Sequence, residues 1–378
     1  MPEYKKMRFA YGFDDVALVP GDVTVNPELT DVSFELDNIK FPLPIMASAM
    51  DSVVDPGFCI LFNKIGGLAI LNLDGVHTRY PDAGAMLQEI VQTPADKVTP
   101  LLQKIYSEPI KENLIGEIVT KIKKGGAICA VSTTPANAKR FSHFAVEAGT
   151  DIVCVQATVT SARHKSNSYE GLNFAKLIKE IARPLIVGNC VSYNVALELM
   201  NTGVSAILVG IGPGAACTSR EVLGVGVPQV TATMDCAAAR DTYLRETGRY
   251  VSIITDGGFR TGGDVAKAFA SGADAVMLGS IFAKSEEAPG KGYHWGMANP
   301  HPALPRGTRI KVGTTGSLQQ ILFGPTSVTD GTQNLVGALR TSMGVCSASN
   351  IKEMHKVEVV IAPAIKTEGK FWQMSQSR

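Results

Sequence analysis

Eight short apolar runs, each closing on a small, polar or glycine-containing stretch, pace the middle of the chain. They are Pro44–Ala47, Leu68–Asn72, Ala127–Ser132, Ile152–Gln156, Leu185–Gly188, Ala206–Gly210, Ser252–Thr255 and Ala275–Leu278. A run that is apolar throughout, rather than at alternate positions, suits a strand covered on both faces, as in a parallel sheet. Helical patterns fill most of the gaps. Asp55 to Lys64 opens on Asp-Pro and stops before Gly66-Gly67; Thr134-Pro135 opens a helix to Ala148 that Gly149 closes. Asn194 to Met200 ends at Gly203, and Gly263 to Ser271 ends at Gly272, the usual start and stop chemistry. One phrase recurs as AGTDIVCV, TGVSAILV and SGADAVML: a helix-ending glycine, a polar residue, then a buried strand. Eight such units with right-handed crossovers predict an α/β fold, a (β/α)8 TIM barrel. An open doubly wound sheet is the alternative, because strand count alone does not prove closure. Both place a ligand site at the carboxyl ends of the strands.

Three regions interrupt the repeat. Residues 1–40 form a leader with a turn at Val19-Pro20-Gly21-Asp22. Residues 75–125 are a long charged connection, helical over Ile110–Lys124. Residues 284–378 form a C-terminal loop and helix region: 284–330 are rich in Gly, Pro and His, and a helix follows over about Gly331 to Met343. A long irregular segment after the eighth strand reads as a site loop. No Ser/Gly linker divides the chain, so residues 1–378 are expected to make one domain.

Charge and cysteine usage narrow the function. With 36 Lys+Arg against 35 Asp+Glu there is no basic surplus for nucleic acid. No apolar run is long enough to span a bilayer, and the start lacks a secretory core, so no membrane is expected. The 7 cysteines are scattered with no CxxC pair, and the 6 histidines show no metal spacing. A reducing, cytoplasmic setting fits.

The strongest local motif follows the sixth strand: Val209-Gly-Ile-Gly-Pro-Gly-Ala-Ala-Cys217-Thr-Ser-Arg-Glu221. Its glycines let the backbone turn back, which sets Cys217 on a loop. There it is either a thiolate nucleophile or a small buried hydrophobe. Thr255-Asp256-Gly-Gly-Phe-Arg260 ends the seventh strand and Leu278-Gly-Ser280 the eighth. Paired glycine loops after strands seven and eight suit a phosphate. Asp256 beside them is either a partner for a sugar diol or a helix cap. His294 and His301, in the loop after strand eight, read as solvated.

Together these segments resemble the IMP dehydrogenase/GMP reductase family over nearly the whole chain. The likeness is carried by Gly12-Phe-Asp-Asp-Val-Ala-Leu-Val-Pro20, Pro44-Ile-Met-Ala-Ser-Ala-Met-Asp51, the Gly210–Glu221 loop with Gly224-Val-Gly-Val-Pro-Gln229, Asp256-Gly-Gly and Leu278-Gly-Ser280. The resemblance implies a homo-oligomer, a tetramer or octamer, acting on purine nucleotides (IMP, XMP, GMP). Cys217 would attack C2 of the purine, hydride would pass to NAD, and water would release XMP, with Ser219 supporting the cysteine. Asp256 would hold the ribose, and Gly258, Gly279 and Ser280 the phosphate. Ser48, Met50, Asn189, Gly296 and Met297 would line the nucleotide, with Arg306 beside them. Gln156, Thr158, Gly210 and Gly212 would face the dinucleotide. The carbonyls of Gly212, Gly214 and Cys217 would match those holding a monovalent cation such as K+.

The chain departs from that pattern in four places. Residues 75–125 are too short for the paired regulatory module many family dehydrogenases carry. Ala215 stands where a phosphate-binding serine is usual, and Gln156 where an aspartate meets the nicotinamide. The family flap is shortened between Met297 and Arg306, with no Arg-Tyr pair to activate water and no glutamate of the kind the reductases use. The expectation is IMP dehydrogenase with slow hydrolysis. GMP reductase and a non-catalytic nucleotide-binding regulator are the alternatives.

Overall fold

The computed structural model describes residues 7–165, 167, 171–296, 309–365 and 367. Eight parallel strands close on themselves: β1 Ile45–Ala47, β2 Leu68–Asn72, β3 Ala130–Thr133, β4 Ile152–Gln156, β5 Leu185–Cys190, β6 Ala206–Val209, β7 Ser252–Asp256 and β8 Ala275–Leu278. Closure is direct, since β8 pairs with β1 through Val276 opposite Ile45. The barrel is therefore the architecture, and the open sheet is excluded.

Strand parity sets the layout. Met46, Ile70, Ile152, Cys154, Leu208, Ile254 and Met277 pack inside the barrel. Their neighbours Ala47, Leu71, Val153, Val155, Val209, Ile253 and Val276 pack outward against helices. Two more residues along each inward row bring Ser48, Asn72, Ser132, Gln156, Gly210, Asp256 and Gly279 to the carboxyl ends. The polar positions thus fall where the barrel opens. At the amino ends a hairpin, Phe34–Leu36 paired with Ile39–Phe41, plugs the interior: Phe34, Leu36 and Phe41 join the inner core. The hairpin turn is tied down by Ser205, whose hydroxyl donates to Asp37 at 2.6 Å.

Some expected boundaries move. The third strand begins at Ala130 rather than Ala127 because the Cys129 N–H is taken by the Asp151 side chain at 2.7 Å instead of a neighbouring strand. The fifth runs on to Cys190. The connection 75–125 holds three helices, Ala83–Gln92, Ala95–Ser107 and Glu112–Lys124, where only the last was expected. The first two pack Leu87, Ile90, Val98, Leu102 and Ile105 into a small core of their own with Trp295. The 19-residue helix Gln229–Thr247 has no expected counterpart. It is rich in Ala and Thr and buries much of its surface, so it lacks a clean apolar stripe. The helix expected over about Gly331 to Met343 is Leu335–Val345, capped by Asn334, and a further short helix, Leu318–Phe323, lies within the segment expected to be irregular. The leader is integrated, since Val16–Leu18 pairs antiparallel with Val359–Ile361.

Candidate functional site

A cavity of 570 Å³ opens at the carboxyl ends of the strands, within the size range of small-molecule sites. The loop after β6 forms one wall. Gly210 must be glycine, for its φ is 147° and a Cβ there would stand 2.4 Å from the Asp256 carbonyl oxygen. Arg220 fastens the loop by donating to the carbonyls of Ile211 at 3.1 Å and Val227 at 2.9 Å. Gln229 braces it from the long helix, donating to the carbonyls of Val209 at 3.1 Å and Asp256 at 3.0 Å. Of the seven cysteines, Cys217 alone is not buried, so it is not a core hydrophobe. Its thiol donates to the Ser219 hydroxyl at 3.3 Å. Ser219 is 2 % exposed, which holds that acceptor in place. A half-buried thiol held by one fixed hydroxyl partner and open to the cavity is placed to bond to an electrophile there.

Asp256, the last residue of β7, faces the cysteine loop. Its Oδ2 accepts from Asn189 at 2.8 Å and Gln156 at 3.2 Å. Gln156 also donates to the Asn189 side-chain oxygen Oδ1 at 3.3 Å, which closes a three-residue network. Burial pushes the Asp256 carboxyl up to about 6, and the two amide donors hold it from going higher. Asp256 is not a helix cap: the helix Gly262–Ala270 is capped by Thr261. Among the described residues Oδ1 has no partner, so this oxygen is left for a hydroxyl-bearing ligand.

The third wall comes from β8, β1 and the segment before residue 297. A Cβ on Gly279 would lie 3.1 Å from Met50 Sδ, 3.4 Å from His294 Cε1 and 3.5 Å from Ser48 Oγ. A side chain there would press on all three. Gly258, at φ 85°, and Ser280 line the same cavity.

Every expected site residue that the structure describes meets at this one cavity. Ser48, Met50, Gln156, Thr158, Asn189, Gly210, Gly212, Gly214, Ala215, Cys217, Ser219, Asp256, Gly258, Gly279, Ser280 and Gly296 all line it. Met297, His301 and Arg306 lie outside the described residues. Ala215 brings no hydroxyl. The Gln156 amide nitrogen already serves Asp256 and Asn189. Of the carbonyls expected at a cation, that of Gly214 accepts the Cys217 N–H at 3.0 Å. Among the described residues no cluster of three His, Cys, Asp or Glu could hold a metal, and no helix is long and apolar enough to cross a membrane.

Sequence reasoning missed three lining residues and one brace. His294 is not solvated but 2 % exposed, with Nδ1 3.3 Å from the Ser52 hydroxyl; burial lowers its pKa to about 4. Its strand partner Ile310, across the loop, could not be foreseen from local pattern. Lys284 stands four residues after Ser280, a spacing that was legible but went unused. Thr134 enters from the β3 end. Gln229 was visible only as part of a motif.

Comparison with known proteins agrees with this geometry. The sequence profile described as IMP dehydrogenase / GMP reductase domain matches residues 10–298. An "uncharacterized oxidoreductase" of Mycolicibacterium smegmatis is 38 % identical over 363 residues, covering 94 % of this chain and 97 % of that protein. Inosine-5'-monophosphate dehydrogenase of Methanocaldococcus jannaschii is 27 % identical, covering 95 % and 94 %. That alignment runs over 486 positions against 378 residues here, so the archaeal protein has a large insertion this chain lacks. A crystal structure of an IMP dehydrogenase/GMP reductase-like protein from Corynebacterium glutamicum superposes with a TM-score of 0.90 at 35 % identity, covering 95 % of this chain and 96 % of that one. The chain is an oxidoreductase fold of known lineage, and it belongs to the IMP dehydrogenase/GMP reductase family.

Proposed function

We propose that this protein oxidises IMP to XMP with NAD through a thioimidate on Cys217. The observation that carries the reading is the half-buried Cys217 thiol, bonded to Ser219 and facing a cavity whose opposite wall holds Asp256 with one oxygen open. The thiol proton is relayed through the Ser219 hydroxyl to solvent, sulfur bonds to C2, and the C2 hydrogen leaves as hydride. NAD, when bound, supplies the hydride acceptor. Water then adds at C2, the C–S bond breaks, and XMP leaves as the thiol regains its proton. Asp256 accepts the ribose hydroxyls, and Gly258, Gly279 and Ser280 hold the phosphate. Thr158 and Gln156 stand on the side open to a dinucleotide, with Gln156 a weak contact because its donor is already engaged. A monovalent cation on the Gly212, Gly214 and Cys217 carbonyls would show as a dependence of rate on K+. The family likeness also supports a cytoplasmic homo-oligomer, which light scattering would size.

A second reading has its own support. Among the described lining residues, the groups nearest Cys217 in sequence are the hydroxyls of Thr218 and Ser219, with no base beside them to activate water. GMP reduction needs no water. The thiol adds to C2 of GMP, the C2–N bond breaks, and ammonia leaves with the thiol's proton. Hydride from NADPH then adds to C2 and the C–S bond breaks, giving IMP.

Purified protein with IMP and NAD decides between them. Reduced nicotinamide together with XMP supports the dehydrogenase. No signal with IMP, but ammonia and IMP from GMP with NADPH, replaces it by the reductase. Silence in both overturns the catalytic reading in favour of a nucleotide-binding regulator.

A further inference from the structure

Two cavity-lining side chains have no part in the chemistry above. His294 is almost wholly buried, yet one edge of its ring faces the cavity. Its Nδ1 lies 3.3 Å from Ser52 Oγ. That hydroxyl accepts the Trp295 N–H at 3.3 Å, and its own hydrogen has two acceptors in reach, Nδ1 and the Trp295 carbonyl at 3.4 Å. When Ser52 gives its hydrogen to Nδ1, the ring proton sits on Nε2 and makes that nitrogen a donor. Among the described residues Nε2 has no partner. The adjoining ring carbon is the one that closes on Gly279 beside Ser48. Burial keeps the ring neutral near pH 7.

Lys284 follows Ser280 by four residues across the short helix Ser280–Ala283, so both project to one side. Among the described residues two cationic side chains line the cavity, Arg260 and Lys284. Arg260 is committed to Asp14 and Asp264. Lys284 has no ion pair with a described residue; Asp330 feels its charge without pairing. A phosphate monoester in a partly closed cavity needs a counter-charge, which backbone amides at Gly258, Gly279 and Ser280 supply only in part. Ala215 adds no hydroxyl. Among the described residues on the wall those amides share, Lys284 is the uncommitted charge and His294 an uncommitted neutral side chain beside the Ser48 and Ser280 hydroxyls.

We propose that Lys284 and His294 hold the phosphate monoester of the bound mononucleotide, Lys284 as its counter-charge and His294 through Nε2–H. The inference rests on the purine-nucleotide reading. Binding of IMP, inosine and NAD to the full chain tests it. Wild type should prefer IMP to inosine. Lys284→Met keeps the aliphatic stem and should weaken IMP by about 10- to 100-fold while inosine is unchanged. His294→Phe should cut the IMP preference as well, and His294→Gln, which returns an N–H near the same place, should restore part of it. If both Lys284→Met and His294→Phe keep the wild-type preference for IMP, the assignment falls while the purine reading stands. Equal losses for IMP and inosine would make the two residues shapers of the cavity, and the assignment falls. A loss confined to NAD would move the phosphate to the dinucleotide and overturn it too. A wild type that binds neither IMP nor GMP removes the purine reading itself.

Discussion

Asp256 and Asp274 are both carboxylates drawn out of bulk solvent, placed at opposite ends of the barrel, and their surroundings push them in opposite directions. Asp256 closes β7 at the open end and meets only the neutral amides of Asn189 and Gln156; burial dominates and raises it to about 6. Asp274 precedes β8 at the plugged end. There burial is outweighed by the charges of Arg240, Lys352 and His355, and the carboxyl falls below its ordinary value. Its oxygens accept from Ile253 N–H at 2.8 Å, Arg240 at 3.2 Å, the Tyr250 hydroxyl at 2.6 Å and Lys352 at 2.7 Å. One carboxylate is satisfied by the protein, the other leaves an acceptor for something the protein does not itself provide. A group kept costly in the free state is a mark of a binding site, whereas a paired one holds the fold together.

Variants at the two ends should therefore fail in different ways. The largest effect belongs to the open end: Cys217→Ala should reduce turnover to background while IMP still binds and the melting temperature holds. Retained turnover would break the covalent mechanism. Next comes the plugged end. Asp274→Ala leaves Arg240, itself 3 % exposed, without its buried partner, and should cost about 3–5 kcal/mol of stability, read by urea unfolding. Under conditions where the variant is folded, its KM for the nucleotide should match wild type. A changed KM with unchanged stability would erase the distinction between the two ends.

The same contrast explains what the sequence made legible. The barrel was readable because parallel strands buried on both faces leave continuous apolar runs, and helix-ending glycines punctuate them. The site was readable for a related reason: polar residues and glycines at strand ends stand out against those runs. Cys217, Asp256 and Ser280 could be placed for that reason. What stayed hidden depends on distance in the chain. Asn189 was expected near the nucleotide and Gln156 near the dinucleotide, but not that they share one Asp256 oxygen. His294 looked solvated, because nothing local reveals that Ser52, 242 residues away, sits on its ring. The helices Ala83–Gln92 and Ala95–Ser107 were missed because their apolar faces serve a small separate core, and the second carries Pro100 within it. The Asp274 network was missed outright, since its members come from residues 240, 250, 253 and 352.

Asp256→Asn sharpens the comparison at a smaller scale. The amide keeps the shape but loses the charge that strengthens hydrogen bonds from ribose hydroxyls, so nucleotide affinity should fall by about 1.5–3 kcal/mol in calorimetric titration. Stability of the ligand-free protein should not fall and is expected to rise near pH 7, because a buried charge is removed. Equal affinity for IMP would take Asp256 out of the ligand's reach.

The smallest effect is a pH dependence, and its sign separates the two carboxylates. The ligand-free Asp256 carboxyl titrates at about 6, above its unfolded value of 3.8. Between those values the folded chain holds a proton the unfolded chain has lost, so this group's contribution to stability falls as pH rises through the window. Nucleotide binding needs the ionised form, so affinity should move the other way. It should weaken by about tenfold, or about 1.4 kcal/mol, on going from pH 7 to pH 5. Asp274 cannot produce this pattern. Its folded value lies below the ordinary one, so the stability it gives is present throughout that range and is lost only in stronger acid. Measuring IMP affinity and ligand-free stability side by side, in wild type and Asp256→Asn, isolates the effect from other titrating groups. Opposed slopes that vanish in the variant assign the titration to Asp256. Slopes that persist in Asp256→Asn would show that the open end owes its pH response to another group, and the contrast between the two carboxylates would then rest on geometry alone.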